Sequence, residues 1–171
     1  NCRHICESGY LPQKSDVDAG FPLTVYEVIG MGLWVHQGSF KSFTKAQHSL
    51  IEESISRVGL NASKHKRIDQ LSGGQFQRML FARIYVQNAS LIILDEPFTA
   101  IDAQTCDHLL DIIEEWHKKG KTILVVLHNL DLVRKHFPET LLLGRRCIGW
   151  GPTEKVLTKN NINTAFENVM S

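Results

Sequence analysis

The sequence lacks any apolar run long enough to cross a bilayer. Its longest uninterrupted aliphatic stretches are residues 91–94 and 123–127, whereas a membrane-spanning helix needs roughly 20 consecutive apolar residues. We therefore expect that this chain does not insert directly into a membrane.

The sequence also lacks a block of charge of one sign. It has 19 Lys and Arg against 18 Asp and Glu, for a formal net charge of +1, and the two signs are interspersed. A protein that follows a nucleic-acid backbone or an anionic bilayer usually concentrates basic residues in one segment. No nucleic-acid partner is therefore expected.

Cysteines are few and irregularly placed. The four stand at positions 2, 6, 106 and 147, a spacing that is not typical of a disulfide framework and favours free thiols in a reducing, cytoplasmic compartment. Cys2, His4 and Cys6 are alternative candidates for soft metal ligands. A zinc site needs three or four converging groups, and no second pair with ligand spacing follows them.

Linkers, low-complexity tracts and internal repeats are absent too. With 43% hydrophobic and 22% charged residues, the composition is that of a globular domain with its own core. The first residue is Asn1, and no targeting segment follows it. The printed start therefore need not be the native start.

Apolar periodicity predicts an alternation of strands and helices. The strand segments are apolar throughout, which is typical of a parallel sheet covered by helices on both faces. The predicted strands are residues 9–11, 91–94, 122–127, 141–143 and 147–150, and the predicted helices are residues 22–36, 44–58, 72–87, 103–118 and 130–136.

The segment Leu71-Ser72-Gly73-Gly74-Gln75 stands at the start of a predicted helix. Two glycines allow a ligand to approach the backbone closely, and the N–H groups of a first helical turn attract anions. The alternative is that Ser72 only caps the helix while the glycines shape the preceding turn. The following Gln77 and Arg78 favour the anion-binding interpretation.

A second candidate site follows the apolar run 91–94, where Asp95 and Glu96 come directly before Pro97. Ligands bind beyond the carboxyl ends of parallel strands, so we expect Asp95 to hold magnesium and Glu96 to act as a general base toward water. Two solvated acids at a strand end are the alternative.

Two single polar residues follow other strands. His128 comes after the run that ends at Leu127, where an imidazole can bond a γ-phosphate and an attacking water. Gln13 follows the first strand and Pro12, where a neutral amide can ligate magnesium. The alternatives are a helix cap or a hydrogen-bonded core residue for His128 and a solvated loop residue for Gln13.

Taken together, these segments resemble the Q-loop, signature, Walker B, D-loop and switch histidine of the ATP-binding-cassette (ABC) ATPases, in family order. The D-loop is represented by Thr99-Ala100-Ile101-Asp102. The resemblance implies that Gln13 and Asp95 bind Mg²⁺, that Glu96 is the base, and that His128 contacts the γ-phosphate. It further implies that Asp102 couples the two subunits of a dimer and that residues 72–75 contact the ATP of the opposite subunit.

The resemblance also implies a P-loop NTPase-type α/β fold, a parallel sheet flanked by helices, with the N-terminal part of the fold missing. Residues 1–13 would end a core strand and start the Q-loop, residues 14–88 would form a helical signature subdomain, and residues 89–171 would form the catalytic sheet subdomain. The expected partners are a second ATPase subunit, giving a homodimer, and a transmembrane permease. The expected location is the inner face of the cell membrane.

Several shorter segments look like the branch of this family that imports manganese, zinc or iron chelates. They are residues 15–18, 21–25, 95–98, 136–138 and 150–152. These residues lie outside the predicted catalytic edge, so the metal is an expectation by analogy.

The sequence departs from the family in one decisive feature. No Gly-x-x-x-x-Gly-Lys-[Ser/Thr] occurs in it, so it has no loop to cradle the β- and γ-phosphates. We expect the chain alone to be inactive, and a sheet without its N-terminal strands to leave an unpaired edge. Asn129 stands where an Asp often follows the switch histidine, a change expected to be tolerated.

Two alternatives remain from other functional classes. One is a soluble ABC-type ATPase of DNA repair or translation, although the coiled-coil insertions and duplicated cassettes of those proteins are not seen here. The other is a short non-catalytic partner that offers only the signature half-site to another subunit's ATP.

Overall fold

The computed structural model describes residues 8–13, 22–37, 42–99 and 101–170, with the backbone alone at residues 36–37 and 167–170. The chain forms two compact units, one extending to Val126 and the other beginning at Leu127. Each unit is described by itself. Among the described residues, no helix has both the length and the apolar character needed to cross a membrane.

The first unit contains a three-stranded parallel sheet. Its strands are β1 (Ser8–Leu11), β2 (Leu91–Asp95) and β3 (Thr122–Val126), in the order β1-β2-β3. Leu11 lies opposite Leu94, and Asp95 lies opposite Val126. All three strands therefore end at one edge of the sheet, as the sequence predicted.

Two long helices cover one face of this sheet. They are α4 (Gly73–Gln87) and α5 (Ala103–Lys118). Ile92 and Leu94 of β2 are buried on that face, and the rings of Phe81 and Trp116 stack between the two helices with centroids 5.8 Å apart. Burial of these aromatic and aliphatic side chains supplies the main stabilisation of the unit.

The opposite face of the sheet is open among the described residues. The side chains that alternate with the buried ones remain accessible, with Tyr10 58%, Leu124 49% and Val126 48% exposed. Helices α4 and α5 pack together on the same side of the sheet, through the contact between Phe81 and Trp116. An apolar strand thus has its buried and its exposed residues in period-two alternation.

The segment expected to form one helix over residues 22–36 is divided. Helix α1 (Val25–Gly30) is followed by a 3₁₀ turn, Met31–Leu33, and then by α2 (Trp34–Gln37). In the 3₁₀ turn the backbone of Gly32 approaches α4 so closely that a β-carbon there would lie 2.5 Å from the carbonyl oxygen of Arg83. This close approach accompanies the change from α to 3₁₀ geometry.

The remaining helices of this unit agree closely with the periodicity. Helix α3 (Lys45–Arg57) is capped by Thr44, and α4 is capped by Ser72, each with a reciprocal capping box. Two 3₁₀ turns, Asn61–Ser63 and Ile68–Gln70, join these helices. Capping boxes satisfy backbone N–H groups that a helix start otherwise leaves unpaired.

The second unit pairs a two-stranded antiparallel sheet with short helices. Its elements are α6 (Leu130–His136), β4 (Glu139–Leu143), β5 (Cys147–Pro152), α7 (Thr153–Val156) and α8 (Lys159–Met170). The buried Thr153 hydroxyl donates to the carbonyl of Phe137 and bonds Thr140. The Thr153 side chain therefore links α7 to strand β4.

Candidate functional site

The first turn of α4 carries the signature segment. Ser72 has extended backbone angles, and its hydroxyl oxygen accepts from the Gln75 N–H at 3.2 Å, while the Gln75 side-chain oxygen accepts from the Ser72 N–H at 3.1 Å. Ser72 is therefore a helix cap, as one of the two interpretations held. The cap also leaves Ser72 and Gly73 exposed at the positive end of the helix dipole, a position that suits an anion.

The carboxylate pair lies where β2 ends and the chain turns. Asp95 is the last residue of the strand, whereas Glu96 has a positive φ of 47°. The Glu96 N–H donates to the Val126 carbonyl at 3.0 Å. A left-handed conformation is unfavourable for a residue with a long side chain, and such strained residues often occur at functional sites.

Thr99 closes this turn. Its N–H donates to the Glu96 carbonyl at 3.3 Å, and its hydroxyl donates to the Glu96 carboxylate oxygen Oε2 at 3.2 Å. The two neighbouring acids thus have different surroundings, since Asp95 continues the strand while Glu96 belongs to a hydrogen-bonded turn. Different surroundings are what two acids with different chemical roles require.

The signature helix and the carboxylate turn are in contact. The side-chain amide of Gln77 donates to the Pro97 carbonyl at 2.8 Å. A β-carbon on Gly74 would lie 3.9 Å from the Ile101 side chain. Sequence reasoning noted Gln77 only as part of the motif and missed this contact, because the two segments are brought together by packing rather than by the local chain.

Asp102 begins helix α5 as its N-cap. Its carboxylate accepts from the Thr105 N–H at 2.8 Å and from the Thr105 hydroxyl at 2.7 Å. These bonds, the backbone one first, lower the pKa of the exposed Asp102 carboxyl, and Arg78 adds a smaller electrostatic contribution. The capping pattern Asp-x-x-Thr was present in the sequence and is the signal that could have revealed this contact.

The other two predicted site residues, Gln13 and His128, lie in different units of the chain. Gln13 is exposed and follows β1 by two residues, so it leaves the sheet from the edge at which Asp95 lies. His128 is exposed and follows β3 by two residues, but it belongs to the second unit. Gln13, Asp95 and Glu96 therefore lie at one sheet edge of the first unit. His128 lies in the second unit.

The chemistry of the donors at this edge suits magnesium better than a softer metal. Mg²⁺ prefers oxygen ligands and commonly uses only one or two carboxylates together with substrate phosphates and water. Asp95 and the amide of Gln13 are such donors. Among the described residues, no group of three His, Cys, Asp or Glu forms a metal site by itself, and Cys2, His4 and Cys6 lie outside the described residues.

The chain is similar to known transporter proteins over most of its length. The family described as ABC transporter matches residues 6–99. The manganese transport system ATP-binding protein MntB of Halalkalibacterium halodurans is 37% identical over 166 residues, which are 96% of this chain and 66% of that protein. MntB of Bacillus subtilis is 39% identical over 158 residues, which are 92% of this chain and 63% of that protein.

Solved structures show the same fold. A chain of a metal-chelate type ABC transporter in an inward-facing conformation has a TM-score of 0.83 and 26% identity, covering 94% of this chain and 64% of that one. The chain thus spans a little less than two thirds of the relatives that it matches. With a family match over more than half its length and relatives well above 30% identity, the chain belongs to the ABC transporter family.

Proposed function

We propose that the chain is part of the ATP-binding subunit of an ABC transporter that uses ATP hydrolysis to drive uptake of a metal ion, of the manganese, zinc or iron-chelate type. The observation that carries the proposal is the contact between the signature helix and the turn after Asp95 and Glu96. The names of the relatives, manganese transport proteins among them, support the choice of substrate.

The signature end would bind ATP held by an opposite subunit. The first turn of α4 presents backbone N–H groups and no bulky side chain at Gly73 and Gly74, while Ser72 supplies a hydroxyl. A helix N-terminus is suited to phosphate because its N–H groups and its dipole act together. In this proposal residues 72–75 bind the phosphates, and Asp102 at the start of α5 transmits the state of one site to the other.

In a subunit that also has a phosphate-binding loop, the sheet edge would serve that subunit's own nucleotide. Asp95 and Gln13 would hold Mg²⁺, which would supply charge neutralisation to the phosphates of ATP. Glu96 would orient and deprotonate the attacking water, with Thr99 holding one of its carboxylate oxygens, and His128 would bond the γ-phosphate. A positioned general base contributes about 100- to 10,000-fold to a rate.

The printed polypeptide contains no phosphate-binding loop, and therefore we propose that by itself it does not hydrolyse ATP. Phosphoryl transfer depends on positioning and electrostatic stabilisation of the phosphates, and this chain could supply only the signature half of a shared site. A Mg²⁺-dependent ATPase activity of the isolated chain that disappears in Glu96→Gln would contradict this.

The remaining features of the proposal concern assembly. The partners would be a second ATPase subunit, normally a copy of the same protein, and a transmembrane permease. A groove of the ATPase subunit between the Q-loop and the helical subdomain would receive the permease. The location would be the cytoplasmic face of the membrane. Residues 14–88 would act as the helical subdomain and residues 89–171 as the catalytic sheet subdomain.

A mixed-subunit assay tests the proposal. An intact manganese-uptake ATP-binding protein is inactivated in its own signature serine, so that its homodimer hydrolyses little ATP, and the 171-residue chain is then added. We expect Mg²⁺-dependent hydrolysis to rise with the chain and to return to background with Ser72→Arg, because only the chain provides an intact signature.

The identity of the partner protein in this assay distinguishes a transport function from a DNA-repair function. A soluble DNA-repair ABC ATPase with the same inactivating change serves as the control partner, and the chain should not activate it. The proposal would be overturned if ATP hydrolysis by the manganese-uptake protein stays at background when the 171-residue chain is present at a saturating concentration. It would also be overturned if Ser72→Arg leaves the hydrolysis rate unchanged.

A further inference from the structure

Gln77 connects the signature helix to the turn that carries Glu96. It lies on α4 two residues beyond the signature, and its side-chain amide donates to the Pro97 carbonyl at 2.8 Å in a partly buried position. Pro97 is itself buried and directly follows Glu96. The amide is thus attached to the residue next to the proposed base.

The turn that receives this bond has little freedom. Glu96 is held in the left-handed region with a φ of 47°, and bonds from its own N–H to Val126 and from Thr99 to its carbonyl fix it on both sides. Pro97 has a restricted φ and no N–H to donate, so its carbonyl is its one backbone hydrogen-bonding group. A shift of that carbonyl must alter the backbone at Glu96 and the position of its carboxylate.

The other end of the connection is equally rigid. A capping box fixes the first turn of α4, and Gly74 of that turn faces Ile101. An α-helix moves as a stiff unit over a few residues, so a ligand that displaces the first turn also displaces Gln77 one turn later.

We propose that Gln77 is a positioning residue that couples the phosphate-binding end of α4 to the Glu96 carboxylate of the same subunit. Occupancy of the signature by the opposite subunit's ATP would thereby adjust the position of the Glu96 carboxylate, which in a subunit with a phosphate-binding loop serves that subunit's own ATP. This inference rests on the proposed function, because that function assigns the two ends of the connection to two nucleotides.

The same helix offers a matched control. Gln87, ten residues further along α4, donates its side-chain amide to the Ser8 carbonyl at 2.9 Å, also in a partly buried position. The two residues therefore make the same type of bond from one helix to the sheet region. Only Gln77 makes it beside the carboxylate pair, so a purely structural role predicts equal effects at the two positions.

Hydrogen exchange of the isolated chain tests the first half of the inference. We expect Gln77→Met to speed amide exchange at Phe98 and Thr99 by about five- to tenfold, the factor expected for the loss of one hydrogen bond. Gln87→Met should leave these amides at their wild-type rates, and Gln77→Lys, which retains an N–H donor, should restore slow exchange. Equal rates in Gln77→Met and Gln87→Met would overturn the inference.

Exchange in the mixed-subunit assembly tests the coupling itself. Adding ATP and Mg²⁺ to the wild-type chain with its partner should change exchange at Phe98 and Thr99, and Gln77→Met should abolish that response while Gln87→Met retains it. An undiminished response in Gln77→Met would refute the coupling. If the wild-type chain never activates the partner, the proposed function fails, whereas the measurement on the isolated chain still decides whether Gln77 holds the turn.

Discussion

At the scale of single residues, two of the proposed nucleotide-site residues also cap helices. Ser72 and Asp102 each begin a helix, and each accepts a hydrogen bond from a backbone N–H three residues later. The Ser72 cap was predicted, whereas the Asp102 cap was not. Substitution at either position therefore changes the helix start as well as the proposed site.

Asp102 gives a prediction for the pH dependence of stability. Its pKa in the folded chain lies below the ordinary value of 3.8, chiefly because the Thr105 N–H and hydroxyl donate to the carboxylate. A lowered folded pKa contributes stability above the ordinary value, and that contribution is lost as the pH falls through the lowered value. We expect the urea concentration at the midpoint of unfolding to decrease as the pH is lowered from about 5 to about 2.

Asp102→Asn is the control for this prediction. Asn caps a helix nearly as well as Asp but does not titrate, so the variant should lose less stability than the wild type over the same pH interval. The measurement is urea unfolding followed by circular dichroism at each pH. Identical pH profiles for the two proteins would show that Asp102 does not contribute.

The backbone conformation of Glu96 could not be predicted from the residue types around it. A positive φ at Glu is uncommon, since Gly, Asn and Asp are the residues that usually adopt it. Nothing in the local sequence indicates this conformation. It arises because Glu96 bonds Val126 and Thr99, and one of these lies on another strand.

At the scale of elements, periodicity and capping patterns located the long helices accurately. The predicted helices over residues 44–58, 72–87 and 103–118 correspond to α3, α4 and α5. Each begins after a Thr, Ser or Asp whose side chain caps it. The division of the first helical segment was not predicted, because it depends on how closely α4 approaches Gly32.

Gly32 therefore gives a stability prediction. A β-carbon there would lie 2.5 Å from the Arg83 carbonyl oxygen and 2.6 Å from a Val86 methyl group, so Gly32→Ala must push the 3₁₀ turn away from α4. Overpacking of this kind costs about 1–3 kcal/mol, and we expect a decrease of that size in the free energy of unfolding.

Gly9→Ala is the matched control for Gly32→Ala. Its β-carbon would meet the nearest atom at 3.4 Å, from the Ile84 side chain, which is an ordinary packing distance. Thermal and urea unfolding of both variants measure the difference. A Gly32→Ala protein as stable as Gly9→Ala would mean that the contact relaxes without cost.

At the scale of the whole molecule, one face of the parallel sheet carries exposed apolar side chains. Tyr10, Leu124 and Val126 are about half exposed or more, and among the described residues β1 and β3 each pair with β2 alone. Exposed apolar faces and unpaired strand edges promote association. Self-association through the sheet is therefore expected.

We predict that the 171-residue chain associates with itself through this face. Sedimentation velocity at rising concentration should show dimers or larger species, and Leu124→Lys should shift the distribution toward monomer because it places a charge on the face. Phe166→Lys, a change at an exposed apolar residue of α8, should have little effect. A wild-type chain that stays monomeric at all concentrations would contradict the prediction.

The sequence by itself determined the positions of the long helices α3, α4 and α5 and the residue types at the sheet edge, because capping, periodicity and strand-end acids are local properties of the chain. Tertiary structure alone decided that α4 and α5 lie on the same side of the sheet, that Glu96 adopts a left-handed backbone conformation and that Gln77 bonds Pro97. Each of these depends on contacts between segments far apart in sequence, and such contacts are set by how α4 and α5 pack on the sheet.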